Sequence, residues 1–467
     1  MSTKLSALDL AFLSLEKQTT PVNVASLMIL QIPEEQSDTF VRELLQKLES
    51  QPAGPPFNQR LSSTSTLTLP SWVTDEHFDI HYHVRHSALP RPGTMNDLLE
   101  LVSRIHSRVL DRERPLWEFY LIEGLQDDRL AIYMKMHHAA IDGMGGVELL
   151  ENCLTLEPGC DIKAPWAGLS KKHKEKTELT LAEKTTRAAS QVGKQTQLVQ
   201  DLSKIFWSQS MKGIGLSDNA SPTPFSAPKS MLNVPIGGAR RFAVKNMSLT
   251  ELKMIGKEAG ATVNDMVLAL CSTALRKYMR EKGTLPKKSL IASVPVSVRQ
   301  VNRTGNQITY VIADLATNEP DTMKRIAKIG LSTQDAKHEI GDVSPDAATS
   351  FAVMAQGLVA ALNQMNMTNL LPPAANVTIS NIPGPRAPLY FGEAQLLNSY
   401  PMSVLIDGQS LNITVFSYCD TIGFGLMACR DTIPDVDKLA DYIESALDRI
   451  KGGIFLKNLM EERAAKH

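Results

Sequence analysis

The chain is predicted to be an α/β protein built from two similar layered domains with a cleft between them. Three observations lead there. Strand-like and helix-like stretches alternate over residues 1–165, the same texture returns over 231–467, and a polar stretch of different composition, 166–230, lies between them.

The first half is read from its periodicities. "VASLMILQI" (24–32) is β-rich, and "SDTFVRELLQKLES" (37–50) has a helical repeat with Ser37 or Asp38 as N-cap. "TMNDLLELVSRIHSRVL" (94–110) is a second helix. "WEFYLIEGL" (117–125) and "RLAIYMKMHH" (129–138) are consecutive strands joined at Gln126-Asp127-Asp128, and "GGVELLENCL" (145–154) is a helix. From Ser170 to about Ser230 the chain turns Lys-, Ser-, Thr- and Gln-rich, which marks a crossover linker, partly helical around 178–210. Within it "LVQDLSKIFWSQSMKGIGL" (198–216) mixes Phe206 and Trp207 with lysines. It reads either as a helix packed on its own protein or as a surface helix that touches lipid.

In the second half "RRFAVKNMSL" (240–249) is a strand and "LTELKMIGKEAG" (249–260) a helix ended by Gly260. "TVNDMVLALCSTALRKYMREKG" (262–283) is a long apolar helix, and "SLIASVPVSVR" (289–299) a buried strand. "ANVTISNIPGP" (375–385), "SLNITVFSYCD" (410–420) and "TIGFGLMACRD" (421–431) follow, then a terminal helix from about Asp435. The prolines and glycine of "SNIPGP" (380–385) forbid regular helix, so a loop beside the cleft is expected there.

Composition narrows the function. The 467 residues are 43% hydrophobic and 21% charged, a globular balance. A formal net charge of −1 argues against a nucleic-acid partner. The five cysteines are loosely spaced without a CxxC, so reduced thiols are expected rather than a disulfide framework or zinc site. No signal peptide is evident at the N-terminus, and no apolar run reaches the ~18–20 residues that span a bilayer. A cytoplasmic location is expected, with membrane-surface contact left open.

The chemistry concentrates in "KMHHAAIDGMGG" (135–146). Neutral imidazole is well suited to accept a proton near pH 7, because its unperturbed pKa is about 6.5. Adjacent strand residues face opposite sides, so His137 and His138 should not share one job. His138 is the candidate general base and His137 its supporting neighbour. Asp142 either contacts the histidine or braces the turn, and Gly143 serves the turn. No GxSxG elbow or neighbouring cysteine supplies a nucleophile, which suggests direct attack by a substrate hydroxyl or amine. Metal binding by His137, His138 and Asp142 finds no HExxH or second ligand cluster in support.

The full string HHxxxDG resembles the signature of coenzyme A-dependent acyltransferases and peptide-synthetase condensation domains. More of the chain resembles bacterial wax ester synthase/acyl-CoA:diacylglycerol acyltransferases: "LDLAFLSLEK" (8–17), "DRERPLWEFYLIEGL" (111–125), "TVNDMVLALCSTALRKY" (262–278), "VTISNIPGPRAPLYFGEAQL" (377–396) and "SYPMSVLIDGQSLNITVFSY" (399–418). The one departure noted is Ile382 where many relatives carry Val. The resemblance implies two chloramphenicol acetyltransferase-like domains, each a mixed sheet with helices, with a substrate tunnel between them.

It also implies roles. His138 would deprotonate a fatty alcohol or diacylglycerol hydroxyl, which then attacks the thioester of acyl-CoA. Asp142 would be structural, paired with Arg299. Asn264 and Asp265 would lie near the active site, Asn264 as an oxyanion donor, although N-capping explains their place at a helix start equally well. Pro115, Leu116 and Trp117 would shape the acyl tunnel and strand packing, with Ser380 and Asn381 in contact with substrate. No cofactor or metal is implied beyond acyl-CoA as co-substrate. Its greasy substrates imply a membrane or lipid-inclusion surface as a partner, and a monomer or homodimer is expected. An acyltransferase with another acceptor and a non-catalytic lipid-binding protein on the same fold are the competing readings.

Overall fold

The computed structural model describes residues 3–33, 39–63, 70–141, 149, 152–167, 221–297, 308–341 and 372–464. In chain order the elements are β1 (Thr3–Lys4), α1 (Ala7–Leu15), β2 (Asn23–Gln31), α2 (Phe40–Glu49), β3 (Gln59–Leu61), β4 (Ser71–Thr74), α3 (Ile80–His83), β5 (Val84–Ala88), α4 (Met95–His106), β6 (Trp117–Leu125) and β7 (Arg129–His137). Then come β8 (Arg240–Ser248), α5 (Leu249–Glu258), α6 (Val263–Glu281), β9 (Ile291–Ser297), β10 (Ile308–Asp314), α7 (Thr322–Gly341), β11 (Val377–Pro383), β12 (Tyr390–Phe391), β13 (Ala394–Met402), β14 (Leu411–Tyr418), β15 (Thr421–Cys429) and α8 (Val436–Ala464). The mixed α/β class is as expected.

Two compact units form, and neither is a continuous stretch of chain. The first comprises Met1–Leu169, Met231–Ile255 and Ile379–Asp448; the second comprises Ser170–Ser230, Gly256–Thr378 and Arg449–His467. The sequence reading drew its divisions at 165 and 230 instead. The difference has a plain cause: strand pairing, not chain order, decides which unit a segment joins. β13 and β12 come from beyond residue 389, yet they extend the sheet of the N-terminal stretch, in the order β12-β13-β2-β7-β6-β5. Residues 394–402 carry Asn398, Ser399 and Pro401 among their apolar positions, which hides the strand from a periodicity reading.

All pairs in this sheet are antiparallel except β5 with β6. The β6–β7 hairpin turns through Asp127 and Asp128 at φ 63° and 51°, left-handed conformations that Asp tolerates better than most residues. Alternation along β7 gives the sheet two buried faces. Leu130, Ile132, Met134 and Met136 join a core with α2 residues Phe40, Val41 and Leu44, together with Trp117 and Trp166. Ala131 and Tyr133 join another, closed by Leu98, Leu99 and Val102 of α4 and by Phe242 of β8. The first unit also holds the antiparallel strands β14, β15 and β8 and the small sheet β1-β4-β3.

In the second unit β10 pairs antiparallel with β9, and the first two residues of β11 pair parallel with β9. α6 is buried along most of its length, from Asp265 to Leu275 and at Tyr278 and Met279.

Local signals explain several helix ends. Thr94 and Asp97 form a capping box on α4, as Thr262 and Asp265 do on α6. Gly260, at φ +66°, follows the last turn of α5. Two details differ from expectation. The N-cap of α2 is Thr39, without a side-chain cap bond, and α4 ends at His106 rather than near 110. The predicted linker helix with Phe206 and Trp207 lies outside the described residues, as does most of the helix expected at 145–154. No helix among the described residues is long and apolar enough to cross a membrane. All five cysteines are unpaired thiols.

Candidate active site

β7 delivers the two histidines to the edge of the first unit's core. It runs between β2 and β6, with His137 opposite Asn23 and Met136 opposite Trp117. His137 is fully buried, and its backbone N–H donates to the Leu116 carbonyl at 3.0 Å. His138, just past the strand end, is half-buried, and its N–H donates to the Val22 carbonyl at 2.9 Å. The chain turns at once: Ala140 N–H donates back to the His137 carbonyl at 2.9 Å. The tight turn therefore begins before the glycines do.

The two rings have different surroundings, as alternation requires. His137 Nδ1 accepts the Ala139 N–H at 3.0 Å, which assigns the neutral ring its proton on Nε2. That Nε2 lies 3.4 Å from Glu16 Oε1, close to the carboxylate but outside good hydrogen-bond geometry. The His138 ring stacks on Phe12 with centroids 4.3 Å apart and planes 26° from parallel.

Glu16 is the residue that sequence reasoning missed. Its Oε1 accepts the Val22 N–H at 3.2 Å, and its Oε2 accepts from Arg112 Nε at 3.2 Å and Nη2 at 3.1 Å. Arg112 Nη2 also donates to the Leu13 carbonyl at 2.6 Å, in the last turn of α1. Burial pushes the Glu16 carboxyl up, but the His137 contact, the Val22 N–H and the Arg112 guanidinium outweigh it and hold it below the usual carboxylate range. A signal was present, since Glu16 and Arg112 both sit in stretches singled out for their resemblance. Nothing in one sequence pairs residues 96 positions apart.

Pro115, Leu116 and Trp117 are buried at the start of β6. Trp117 Nε1 donates to the Phe57 carbonyl at 2.8 Å, and its ring stacks between His83 and Trp166. His83 Nδ1 bonds the Trp117 carbonyl at 2.8 Å, and burial draws the His83 pKa below its ordinary value. This aromatic stack fixes the edge of the strand beside β7.

Ser380 and Asn381 lie on strand β11, not in a loop as expected; the prolines fall at its end, where the ladder no longer needs their N–H. The loop begins at Gly384, where a side-chain carbon would run into the Ser417 carbonyl oxygen and the Phe416 ring. Asp265 is the N3 residue of the α6 capping box. Its Oδ2 accepts from the Thr262 N–H at 3.0 Å and hydroxyl at 2.6 Å, and its Oδ1 from the Thr333 hydroxyl at 2.7 Å. Asn264, beside it, is half-buried. Asp142, Gly143 and Arg299 lie outside the described residues. Among the described residues no group of three His, Cys, Asp or Glu side chains is arranged to hold a metal.

Two family models match the chain: the wax ester synthase/diacylglycerol acyltransferase catalytic domain over residues 5–267, and the WS/DGAT C-terminal domain over 304–451. The chain belongs to the wax ester synthase/diacylglycerol acyltransferase family. An O-acyltransferase WSD of Acinetobacter baylyi is 38% identical over 460 residues, 96% of this chain and 97% of the relative. A Mycobacterium tuberculosis protein, provisionally named a diacylglycerol O-acyltransferase, is 37% identical over 97% of this chain and all of its own length. The wax ester synthase/diacylglycerol acyltransferase of Marinobacter aquaeolei superposes with a TM-score of 0.77 at 33% identity, covering 97% of this chain and 99% of that one. The starter condensation domain of rhizomide synthetase shares the fold, with a TM-score of 0.55 at 13% identity over 97% of this chain and 94% of the other. His137 and His138 fall within the catalytic-domain match, as do Glu16 and Arg112.

Proposed function

We propose that this acyltransferase moves a long-chain acyl group from acyl-CoA to the hydroxyl of a fatty alcohol or of diacylglycerol, with His138 as general base. The family match over both halves of the chain carries the reading. The half-buried His138, held by its backbone and stacked on Phe12, supports the assignment of the base. His137 is spoken for by Ala139 and Glu16 and serves as a supporting residue.

In the proposed reaction the His138 imidazole takes the hydroxyl proton as the oxygen attacks the thioester carbonyl. The tetrahedral oxyanion collapses, the CoA thiolate leaves, and the proton passes from the imidazolium to the thiolate. No acyl-enzyme forms. A base of this kind contributes about 10²–10⁴-fold, and the remainder comes from holding two substrates together and from stabilising the oxyanion. Asn264 is proposed as an oxyanion donor, Asp142 with Arg299 as a structural brace for the turn at Gly143, and Ser380 and Asn381 as substrate contacts. Pro115, Leu116 and Trp117 are proposed to shape the acyl passage by fixing the start of β6. The substrates and products being lipids, we place the enzyme in the cytoplasm, peripherally associated with membrane or lipid inclusions.

Purified protein given palmitoyl-CoA with hexadecanol or diacylglycerol should release free thiol and form ester. No release with any long-chain alcohol or with diacylglycerol refutes the proposal. His138→Ala should lower kcat by roughly 10²–10⁴-fold while the protein stays folded; wild-type turnover in that variant removes His138 as the base.

A further inference from the structure

The ion pair between Glu16 and Arg112 lies under both supports of His138. One support is the backbone. The His138 N–H is held by the Val22 carbonyl at 2.9 Å, and the Val22 N–H is held in turn by Glu16 Oε1 at 3.2 Å. The chain returns from Glu16 to Val22 through a tight turn, in which Lys17 and Thr20 exchange backbone bonds of 3.0 and 3.3 Å. The other support is the ring platform. Phe12, on the last turns of α1, stacks on the imidazole, and the Arg112 guanidinium ties that end of α1 to Glu16 through the Leu13 carbonyl. The Glu16 side chain is 4% exposed and that of Arg112 34%. A carboxylate so buried persists only with its partners in place, so the pair is committed to this geometry.

We infer that Glu16 and Arg112 are positioning residues for His138, fixing at once the Val22 residue whose carbonyl anchors its backbone and the turn of α1 whose Phe12 stacks on its ring. The inference rests on His138 being the base. Neither residue touches the reacting atoms. Their loss shifts the imidazole relative to the acceptor hydroxyl, and a displacement of about 1 Å costs on the order of 10²-fold in rate. Substrate binding draws on other residues and should be little affected.

The test measures kcat and KM for palmitoyl-CoA and hexadecanol by thiol release, on full-length protein whose folding is checked by circular dichroism. Glu16→Ala and Arg112→Ala should each lower kcat by about 10–100-fold, with both KM values within about threefold of wild type. The double variant should be no worse than the poorer single, because both act through one linkage. Glu16→Asp and Arg112→Lys should each recover part of the loss. Phe12→Leu leaves the ion pair intact and decides the matter if Glu16→Ala does not fold: kcat should fall about fivefold or more at unchanged KM. Folded variants with wild-type kcat, losses confined to KM, or fully multiplicative losses in the double variant overturn the inference while wild-type activity stands. A wild-type protein without thiol release overturns the function and this inference together.

Discussion

His106 should make the protein progressively less stable as the pH falls below neutrality. It is the last residue of α4, 3% exposed, with Nδ1 2.8 Å from the Tyr133 hydroxyl. Burial, reinforced by the nearby cations Lys135 and Arg240, pushes its pKa from 6.5 down to about 3. The folded state therefore keeps it neutral over a range in which the unfolded chain protonates it. Stability is complete above the unfolded pKa, is lost as pH falls below about 6.5, and stops falling near the folded pKa of about 3. At pH 5 the gap of 1.5 pH units below the unfolded value corresponds to about 2 kcal/mol, and at pH 4 to about 3 kcal/mol. His106→Gln removes the titration. Urea unfolding followed by the fluorescence of the four tryptophans, Trp72, Trp117 and Trp166 of the first unit with Trp207, measures the difference at pH 7, 6 and 5. Wild type should lose about 2 kcal/mol more than the variant between pH 7 and 5. A difference that stays flat within about 0.5 kcal/mol would show that His106 is already protonated or hydrated in the fold.

Two further perturbations probe the packing that carries the site. Lys135, 1% exposed on β7, pairs with Glu118 at 2.9 Å and donates to the carbonyls of Ile105 and Arg108, so Glu118→Ala should cost about 3–5 kcal/mol by stranding a buried cation. Replacing both partners, Glu118→Leu with Lys135→Met, should be far milder, and a comparison of thermal unfolding checks the ordering. Gly384→Ala drives a methyl into the Ser417 backbone and the Phe416 ring, and should cost about 1–3 kcal/mol by thermal unfolding, with melting unchanged if the loop relaxes freely.

The elements that were legible are those whose physics is local. β6 and β7 announce themselves by apolar runs on either side of an Asp-Asp turn, and α4 and α6 by a threonine three residues before an aspartate. The alternation rule separated His137 from His138 before any coordinates; which of the two is fully buried, His137, came from the fold. Asp265 shows the limit of such readings. Its place at a helix start suited both a capping role and one near the chemistry, and its two oxygens are taken up by Thr262 and Thr333. β13 was not legible, because its edge is supplied by β2, more than 360 residues earlier in the chain.

From the amino-acid order alone came the mixed α/β class, the family, and the placing of two imidazoles on opposite faces of one strand end. Each depends on neighbours a few residues apart, where side-chain alternation, caps and turn residues act. Only the folded chain settled what holds His138 in place: Glu16 against Arg112, Phe12 against the ring, and Val22 against the backbone. Those contacts join segments from residues 12–22, 112 and 138, and pairing across such distances is decided by how sheets and helices pack, which no local pattern encodes.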